Sequence, residues 1–239
     1  MMRHAYTQGV RRIGLLLAST AWGRSGLRSA ERHLAAFSGL TLTYPAWFNW
    51  GDRSLMAQYK TLRDDGAEAI IFVTNDIEGS LLVRELAGLP PEQRRPLICH
   101  WGITGGNFVG LAGEALSLVD LTVVQTFSFF RADPAVAAPV LEDTRRLFGV
   151  SGAESIESAV GFAHAYDLVH ILARAITLAG TSDRTAVRAA LEQVRDYRGL
   201  VRHFPRPFEP GRHEALDSED VIIARYRPDG VIVPVAATP

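Results

Sequence analysis

The stretch that decides the fold is Pro96-Leu97-Ile98-Cys99-His100-Trp101-Gly102-Ile103-Thr104-Gly105-Gly106. Its short apolar run stops at His100 and Trp101, and a glycine-rich turn follows at once. Four other apolar runs, spaced as strands separated by helices, also end in polar or aromatic residues. In an open parallel sheet the carboxyl ends of the strands open onto a shared crevice, and ligands bind there. We therefore expect His100 and Trp101 to lie at the mouth of a binding crevice.

Five strands separated by helices predict a parallel, doubly wound α/β sheet with right-handed crossovers. The predicted strand order is 2-1-3-4-5. Val221–Tyr226 and Val231–Val235, joined by Pro228-Asp229-Gly230, are expected to form a hairpin near this sheet. The five predicted strands lie near residues 11–18, 41–46, 68–73, 96–101 and 119–126.

The pattern changes after Phe130. Helices are predicted between Pro134 and Val194, and the long one carries an apolar face that includes Phe162, Tyr166, Val169 and Ile176. No strands remain for these helices to cover. Three alternatives stay open: the helices pack on the first sheet, on each other, or on a sheet that lies outside this sequence.

Charge and cysteine content exclude several classes of protein. The net charge is −1, so the sequence lacks the basic surface of a nucleic-acid-binding protein. Cys99 is the single cysteine, so no internal disulfide can form. No apolar run reaches the roughly 18 residues that a membrane helix needs. The first residues lack the apolar segment and cleavage site of a secretory signal.

The motifs that would support catalysis or a cofactor are missing from the sequence. Gly23-Arg24-Ser25-Gly26 and the glycines at 102–106 match neither a nucleotide-binding loop nor a nucleophile elbow. No two histidines have the i, i+4 spacing typical of a metal site. Cys99 should point to the side of the strand opposite its neighbour His100. We therefore expect that the protein is not an enzyme and binds neither a cofactor nor a metal. For His100 the sequence supports a structural role and a ligand contact about equally.

The four tryptophans are a stronger signal. Trp22, Trp47, Trp50 and Trp101 all lie at or just past the carboxyl ends of predicted strands. Rings gathered at one rim suit a small organic ligand that is largely removed from water. Trp22 and Trp101 are expected to wall the site and to be among the most exposed of the four.

Together these residues resemble the type I periplasmic binding proteins, and more narrowly the extracellular receptors of the Leu/Ile/Val-binding type that serve ABC importers. The resemblance is carried by the strand followed by residues 21–26, by Gly66-Ala67-Glu68-Ala69-Ile70-Ile71-Phe72-Val73, and by residues 100–106. Later segments 165–169 and 173–176 resemble the long late helix of that family. The resemblance implies two lobes with the ligand clamped between them.

The resemblance also implies a division of the chain. Residues 1–130 with 218–239 correspond to one complete α/β lobe, and residues 131–217 correspond to the helices that finish the other lobe. Because such receptors are longer, the sequence resembles a member without its first half-lobe. In that case the apolar faces of the late helices are expected to be exposed or buried against a second copy, which would make a homodimer.

Five residues correspond by position to ligand contacts of the family: Trp22, Thr74, Asn75, Trp101 and Gly102. His100 is the sixth candidate because of its place at the end of the strand. Thr74 and Asn75 are expected to offer oriented hydrogen bonds. Amino-acid receptors often have an acidic residue near the last of these positions, whereas this sequence has Trp101-Gly102-Ile103.

The function expected from the resemblance is capture of a small polar organic ligand, amino-acid-like or amide-like, for the membrane subunits of an ABC importer. A ligand-sensing domain that acts with a sensor kinase is the first alternative, and a doubly wound enzyme is the second. The resemblance also implies a location outside the cytoplasm.

Overall fold

A computed structural model describes residues 1–235, and the chain divides into two units. The first comprises Met1–Val124 with the chain from Ile223, and the second comprises Gln125–Ile222. The last four residues, which belong to the first predicted lobe, lie outside the described residues.

The first unit is built on a mostly parallel sheet around one buried strand. This strand, β1 (Arg12–Ala18), is almost wholly buried, as expected for a strand covered on both faces. The other strands are β2 (Thr41–Leu42), β3 (Ala46–Phe48), β4 (Ala69–Val73), β5 (Leu97–Cys99), β6 (Leu121–Gln125), β9 (Ile222–Tyr226) and β10 (Ile232–Pro234). The strand order is β10-β9-β6-β5-β4-β1-β2, and β3 also pairs with β1. The predicted order 2-1-3-4-5 is therefore confirmed, and the predicted hairpin (β9 and β10) joins the sheet next to β6.

The predicted second strand is divided in two. Ile13 is level with Leu42 in β2, and Leu16 is level with Ala46 in β3. An interval of three residues along β1 is therefore paired with an interval of four residues from β2 to β3. The β2–β3 segment has one extra residue, as in a β-bulge. Pro45 lies in this interruption, and proline cannot donate a ladder hydrogen bond. The prediction of one continuous strand over residues 41–46 was therefore wrong.

Helices cover both faces of the sheet in the first unit. The helices are α1 (Met2–Thr7), α2 (Ala21–His33), α3 (Met56–Asp64), α4 (Asp76–Ala87) and α5 (Phe108–Ala112), with 3-10 helices at Leu34–Ala36, Pro91–Gln93, Trp101–Thr104 and Gly113–Leu118. Thr20 caps α2, because its hydroxyl accepts from the Gly23 N–H at 3.3 Å. The helix after Asp52 begins only at Met56, and just before it the Leu55 N–H donates to the Glu85 carboxylate at 3.0 Å.

Strand alternation separates the core of the first unit into two clusters. Leu97 and Cys99 belong to the cluster that also contains Phe72 and Val123. Ile98, between them, belongs to the cluster on the other face. Cys99 is fully buried, as the alternation predicts.

The second unit is mainly helical. It contains α6 (Pro134–Phe148), α7 (Ala159–Ala179), α8 (Arg184–Leu191) and a short antiparallel pair, β7 (Tyr197–Arg198) and β8 (His203–Phe204), with 3-10 helices at Ala153–Ser155 and Ser218–Asp220. Its interior is fixed by Asp167 on α7, which is 3% exposed. The Asp167 carboxylate accepts from the Tyr197 hydroxyl at 2.9 Å and from the N–H groups of Leu200 and Val201 at 2.6 and 2.8 Å.

The long helix α7 has an exposed apolar face. Five of its large aliphatic side chains are between 39% and 64% exposed, namely Leu168, Val169, Leu172, Ile176 and Leu178, and the first four share one face of the helix. Phe162 and Tyr166, predicted to share a face with Val169 and Ile176, are instead partly buried against the cluster around Phe129. None of the described helices is both long and apolar enough to cross a membrane.

Candidate functional site

Three loops of the first unit bring the predicted site residues to one edge of the sheet. Trp22 lies in the first turn of α2, after β1. Thr74 and Asn75 link β4 to α4, and His100 follows β5. Because β1, β4 and β5 are adjacent and parallel, their carboxyl ends lie at the same edge.

Gly102 is the point at which these loops meet. A Cβ at Gly102 would lie 2.7 Å from Cη2 of Trp22, 2.9 Å from the Thr74 carbonyl oxygen and 3.2 Å from Oδ1 of Asn75. A side chain would therefore have to displace the indole and a backbone carbonyl. The close approach of the turn to the other two loops requires glycine here.

The imidazole of His100 lies between two indoles. Its ring centroid is 5.0 Å from that of Trp22, with an interplanar angle of 79°, and 5.4 Å from that of Trp101, with an angle of 35°. Edge-on and offset contacts of this kind are the favourable arrangements for aromatic rings. The structure thus joins His100 to the residues grouped around Gly102, and all six predicted residues lie together.

His100 is held in its neutral form. Its Nδ1 accepts from the Gly102 N–H at 3.1 Å, which places the ring proton on Nε2. Burial, with a smaller contribution from the positive amino terminus, lowers the pKa of His100 from 6.5 to about 4. Neutral imidazole therefore predominates at neutral pH, with Nε2–H as a donor.

Thr74 and Asn75 differ in their availability. The Thr74 side chain is fully buried, and its hydroxyl donates to the Asn75 carbonyl oxygen at 3.1 Å. This geometry does not leave the hydroxyl free for a ligand, so Thr74 shapes the loop instead. Asn75 is exposed, and although it occupies the position before α4, its side chain makes no capping hydrogen bond. The Asn75 amide therefore remains available.

The exposure of the tryptophans differs from the expectation. Trp50 is 44% exposed and Trp101 37%, so Trp101 is one of the two most exposed. Trp22 is only partly exposed and packs against the cluster that contains Leu17. The expectation was wrong for Trp22, because the first turn of α2 holds its ring against the sheet. Of the two tryptophans predicted to line the site, Trp101 is the more exposed to solvent.

Two neighbours in α4 were missed as parts of the site. Ile77 is 62% exposed next to Asn75. Glu78 is 4% exposed, and its carboxylate accepts from the Gly51 N–H at 2.9 Å, which fixes the turn beside Trp50. The helical period could have indicated both, since the buried positions of α4 begin at Glu78 and leave Ile77 on the outer side.

The arrangement suits binding better than nucleophilic chemistry. Cys99 precedes His100, but its thiol is fully buried on the opposite face, and burial raises its pKa. A thiol with a raised pKa is a poor nucleophile. Within residues 1–235, no group of three histidine, cysteine or acidic side chains is placed to hold a metal ion.

Known structures share this fold. A type 1 periplasmic binding protein from Bordetella pertussis Tohama I has a TM-score of 0.84 at 23% identity, covering 98% of this chain and 64% of that chain. The leucine-binding protein LivK from Thermotoga maritima has a TM-score of 0.78 at 18% identity, covering 97% and 62%. A fatty acid ABC transporter substrate-binding protein from Thermomonospora curvata has a TM-score of 0.74 at 16% identity, covering 98% and 59%. The chain thus spans less than two thirds of each of these structures.

The comparison with curated proteins finds no match. The sequence profile described as Periplasmic binding protein matches residues 1–227. That match spans most of the chain and agrees with the type I fold of the solved structures. The chain belongs to the periplasmic binding protein family.

Proposed function

We propose that the chain is a solute-binding receptor that captures a small organic ligand, amino-acid-like or amide-like, for an ABC importer. The observation that carries the proposal is the convergence of three loops on Gly102, which places Asn75, His100 and Trp101 side by side. Solved relatives include a leucine-binding protein and a fatty acid ABC transporter substrate-binding protein. These relatives support a small-molecule ligand, an importer as the partner and a location outside the cytoplasm.

The site residues divide into supports and contacts. Gly102 and Thr74 hold the loops together, and Trp22 packs behind His100. Asn75 and Trp101 are exposed, so they are proposed as the direct ligand contacts. A few oriented polar groups beside apolar walls are typical of small-molecule sites.

The proposal is tested first at Asn75. Asn75→Ala should weaken ligand binding by roughly 1–3 kcal/mol if a polar group of the ligand loses its partner. Stability should change little, because the Asn75 side chain makes no capping bond. Calorimetric titration with a panel of amino acids, amides and fatty acids would measure binding, and urea denaturation would measure stability.

The control is a matched exposed amide. Gln8 follows α1, and Gln8→Ala should leave both binding and stability unchanged. If no compound of the panel binds saturably, the receptor proposal fails. If Asn75→Ala binds like the unmodified protein, Asn75 is not a contact.

Two alternatives are separated by further observations. A sensor domain would bind the same ligand without passing it to an importer, so transport in cells that carry the importer subunits distinguishes the two. We propose that the chain is not an enzyme, because the Cys99 thiol is buried and the unprotonated nitrogen of His100 already accepts from the Gly102 N–H, so the two do not form a nucleophile and base pair. Turnover of a bound ligand would contradict this.

We also propose that the exposed face of α7, formed by Leu168, Val169, Leu172 and Ile176, is covered by a second copy of the chain. Apolar patches of this size rarely remain exposed on monomers. Light scattering should therefore give a dimer, and replacing Val169 and Leu172 with Gln should shift it to monomer. Glu142→Gln, on the polar side of α6, provides the control. A stable monomer at high protein concentration would overturn the dimer.

A further inference from the structure

Building on the proposed receptor function, we propose that this sheet edge holds a planar ring carrying an oxygen acceptor, and not the ammonium group of an amino acid. The ligand would be an aromatic amide or an aromatic carboxylate. Three independent features of the edge support this choice: its rings, its hydrogen-bond donors and the engagement of its acids.

The first feature is the order of the rings. The Trp22 indole packs edge-on against the His100 imidazole, and the imidazole packs at a tilted angle against the Trp101 indole. The Trp101 indole is therefore the last ring of the cluster. Trp101 is 37% exposed, whereas the other two rings are partly buried. The last ring of the cluster therefore offers an open surface to a further ring, and Ile77, two residues after Asn75, is an exposed apolar side chain.

The second feature is a surplus of neutral donors. The Gly102 N–H occupies Nδ1 of His100, so Nε2 carries the hydrogen. Among the described residues no acceptor is paired with Nε2. The indole N–H of Trp101 can only donate, and the Asn75 amide can donate as well. An oxygen acceptor can pair with all three groups, whereas an ammonium group, which has donors only, can pair with the Asn75 amide oxygen alone.

The third feature is that the two acids that follow Asn75 in the sequence already accept hydrogen bonds. The Asp76 carboxylate accepts from the Asn107 N–H at 3.3 Å and lies against Gly106. The Glu78 carboxylate is buried and accepts from the Gly51 N–H. None of the six site residues is charged. Removing an ammonium group from water beside neutral donors, without a free anion, is unfavourable.

The helices strengthen the same preference. Trp22 lies in the first turn of α2, and Asn75 immediately precedes α4. The amino-terminal ends of helices carry partial positive charge. Two such ends at one edge favour an electron-rich oxygen over a cation.

The test uses three probes that share a ring and differ in charge: benzamide, benzoate and benzylamine. Ligand-observed saturation-transfer NMR on the full chain detects weak binding and gives relative affinities by titration. Benzamide or benzoate should bind at least tenfold more tightly than benzylamine. Trp101→Ala should reduce that binding at least tenfold, and Trp101→Phe should restore most of it.

Two controls keep the result specific. Tyr44→Ala removes a 90% exposed aromatic residue in the interruption between β2 and β3, outside the three loops that form the site, and should leave binding unchanged. Asp76→Asn removes the carboxylate next to Asn75 in the sequence, so it should not weaken benzamide binding, although it would weaken an ammonium ligand.

The outcomes separate this inference from the receptor function. If benzylamine binds most tightly of the three probes, or if L-leucine binds and Asp76→Asn weakens its binding while Trp101→Ala does not, the aromatic-ligand inference is wrong but the receptor function stands. The same holds if none of the three probes binds and leucine binds saturably. If neither the three probes, leucine nor the wider ligand panel binds, both proposals are wrong.

Discussion

The neutral state of His100 predicts a specific loss of stability in acid. In the unfolded chain a histidine has its ordinary pKa of 6.5, whereas in the folded chain burial lowers the pKa to about 4. Between these two values the unfolded state binds a proton that the folded state does not. His100 therefore contributes its full share of stability above pH 6.5, and this share is lost as the pH falls toward 4.

The magnitude follows from the interval between the two pKa values. At pH 5 the solution is about 1.5 pH units below the pKa of the unfolded chain and still above that of the folded chain. Each of these units lowers the free energy of unfolding by about 1.4 kcal/mol. The free energy of unfolding should therefore fall by about 2 kcal/mol through His100 alone. Protonation at Nδ1 would also break its bond with the Gly102 N–H and so disturb the turn at which the site loops meet.

The assay compares the protein with His100→Asn by urea denaturation at pH 7 and pH 5. Asparagine does not titrate, and its side-chain oxygen can still accept from the Gly102 N–H. Other groups whose pKa burial lowers, such as His4 and His164, titrate in both proteins and cancel in the comparison. Between pH 7 and pH 5 the free energy of unfolding of the unmodified protein should fall by about 2 kcal/mol more than that of the variant. Equal losses would show that His100 is not held neutral by its surroundings.

Two further substitutions test the supports of the fold. Gly102→Ala should destabilise the first unit by about 1–3 kcal/mol, because the new methyl group would overlap the Trp22 indole and the Thr74 carbonyl oxygen; unchanged urea denaturation would contradict this contact. Asp167→Ala should cost roughly 3 kcal/mol, since three buried donors lose their shared acceptor. The exposed Asp143→Ala is its control, and similar losses from the two changes would refute the buried role of Asp167.

The strand order and the edge that carries the site could be predicted from the sequence. Short apolar runs alternating with helices leave few topologies open, and parallel strands must end at one edge. The same reasoning places the loops that carry Trp22, Asn75 and Trp101 at one edge of the sheet.

Side-chain direction and tertiary partners could not be predicted in the same way. The buried hydroxyl of Thr74 and the inward ring of Trp22 depend on how α2 and α4 pack, which local patterns do not encode. The start of α3 is determined by Glu85, some thirty residues away, instead of by the nearby Asp52. Likewise, Asp167 looks like an ordinary polar residue of a helix until Leu200 and Val201 fold against it.

The division between supports and contacts has a consequence for ligand specificity. Gly102 and Thr74 have almost no room to change, because each lies against another loop or within the core. Asn75 and Trp101 project outward and support little of the fold. On the proposed assignment of these two residues as ligand contacts, substituting them should alter ligand affinity at small cost in stability, whereas substituting Gly102 or Thr74 should reduce stability and binding together.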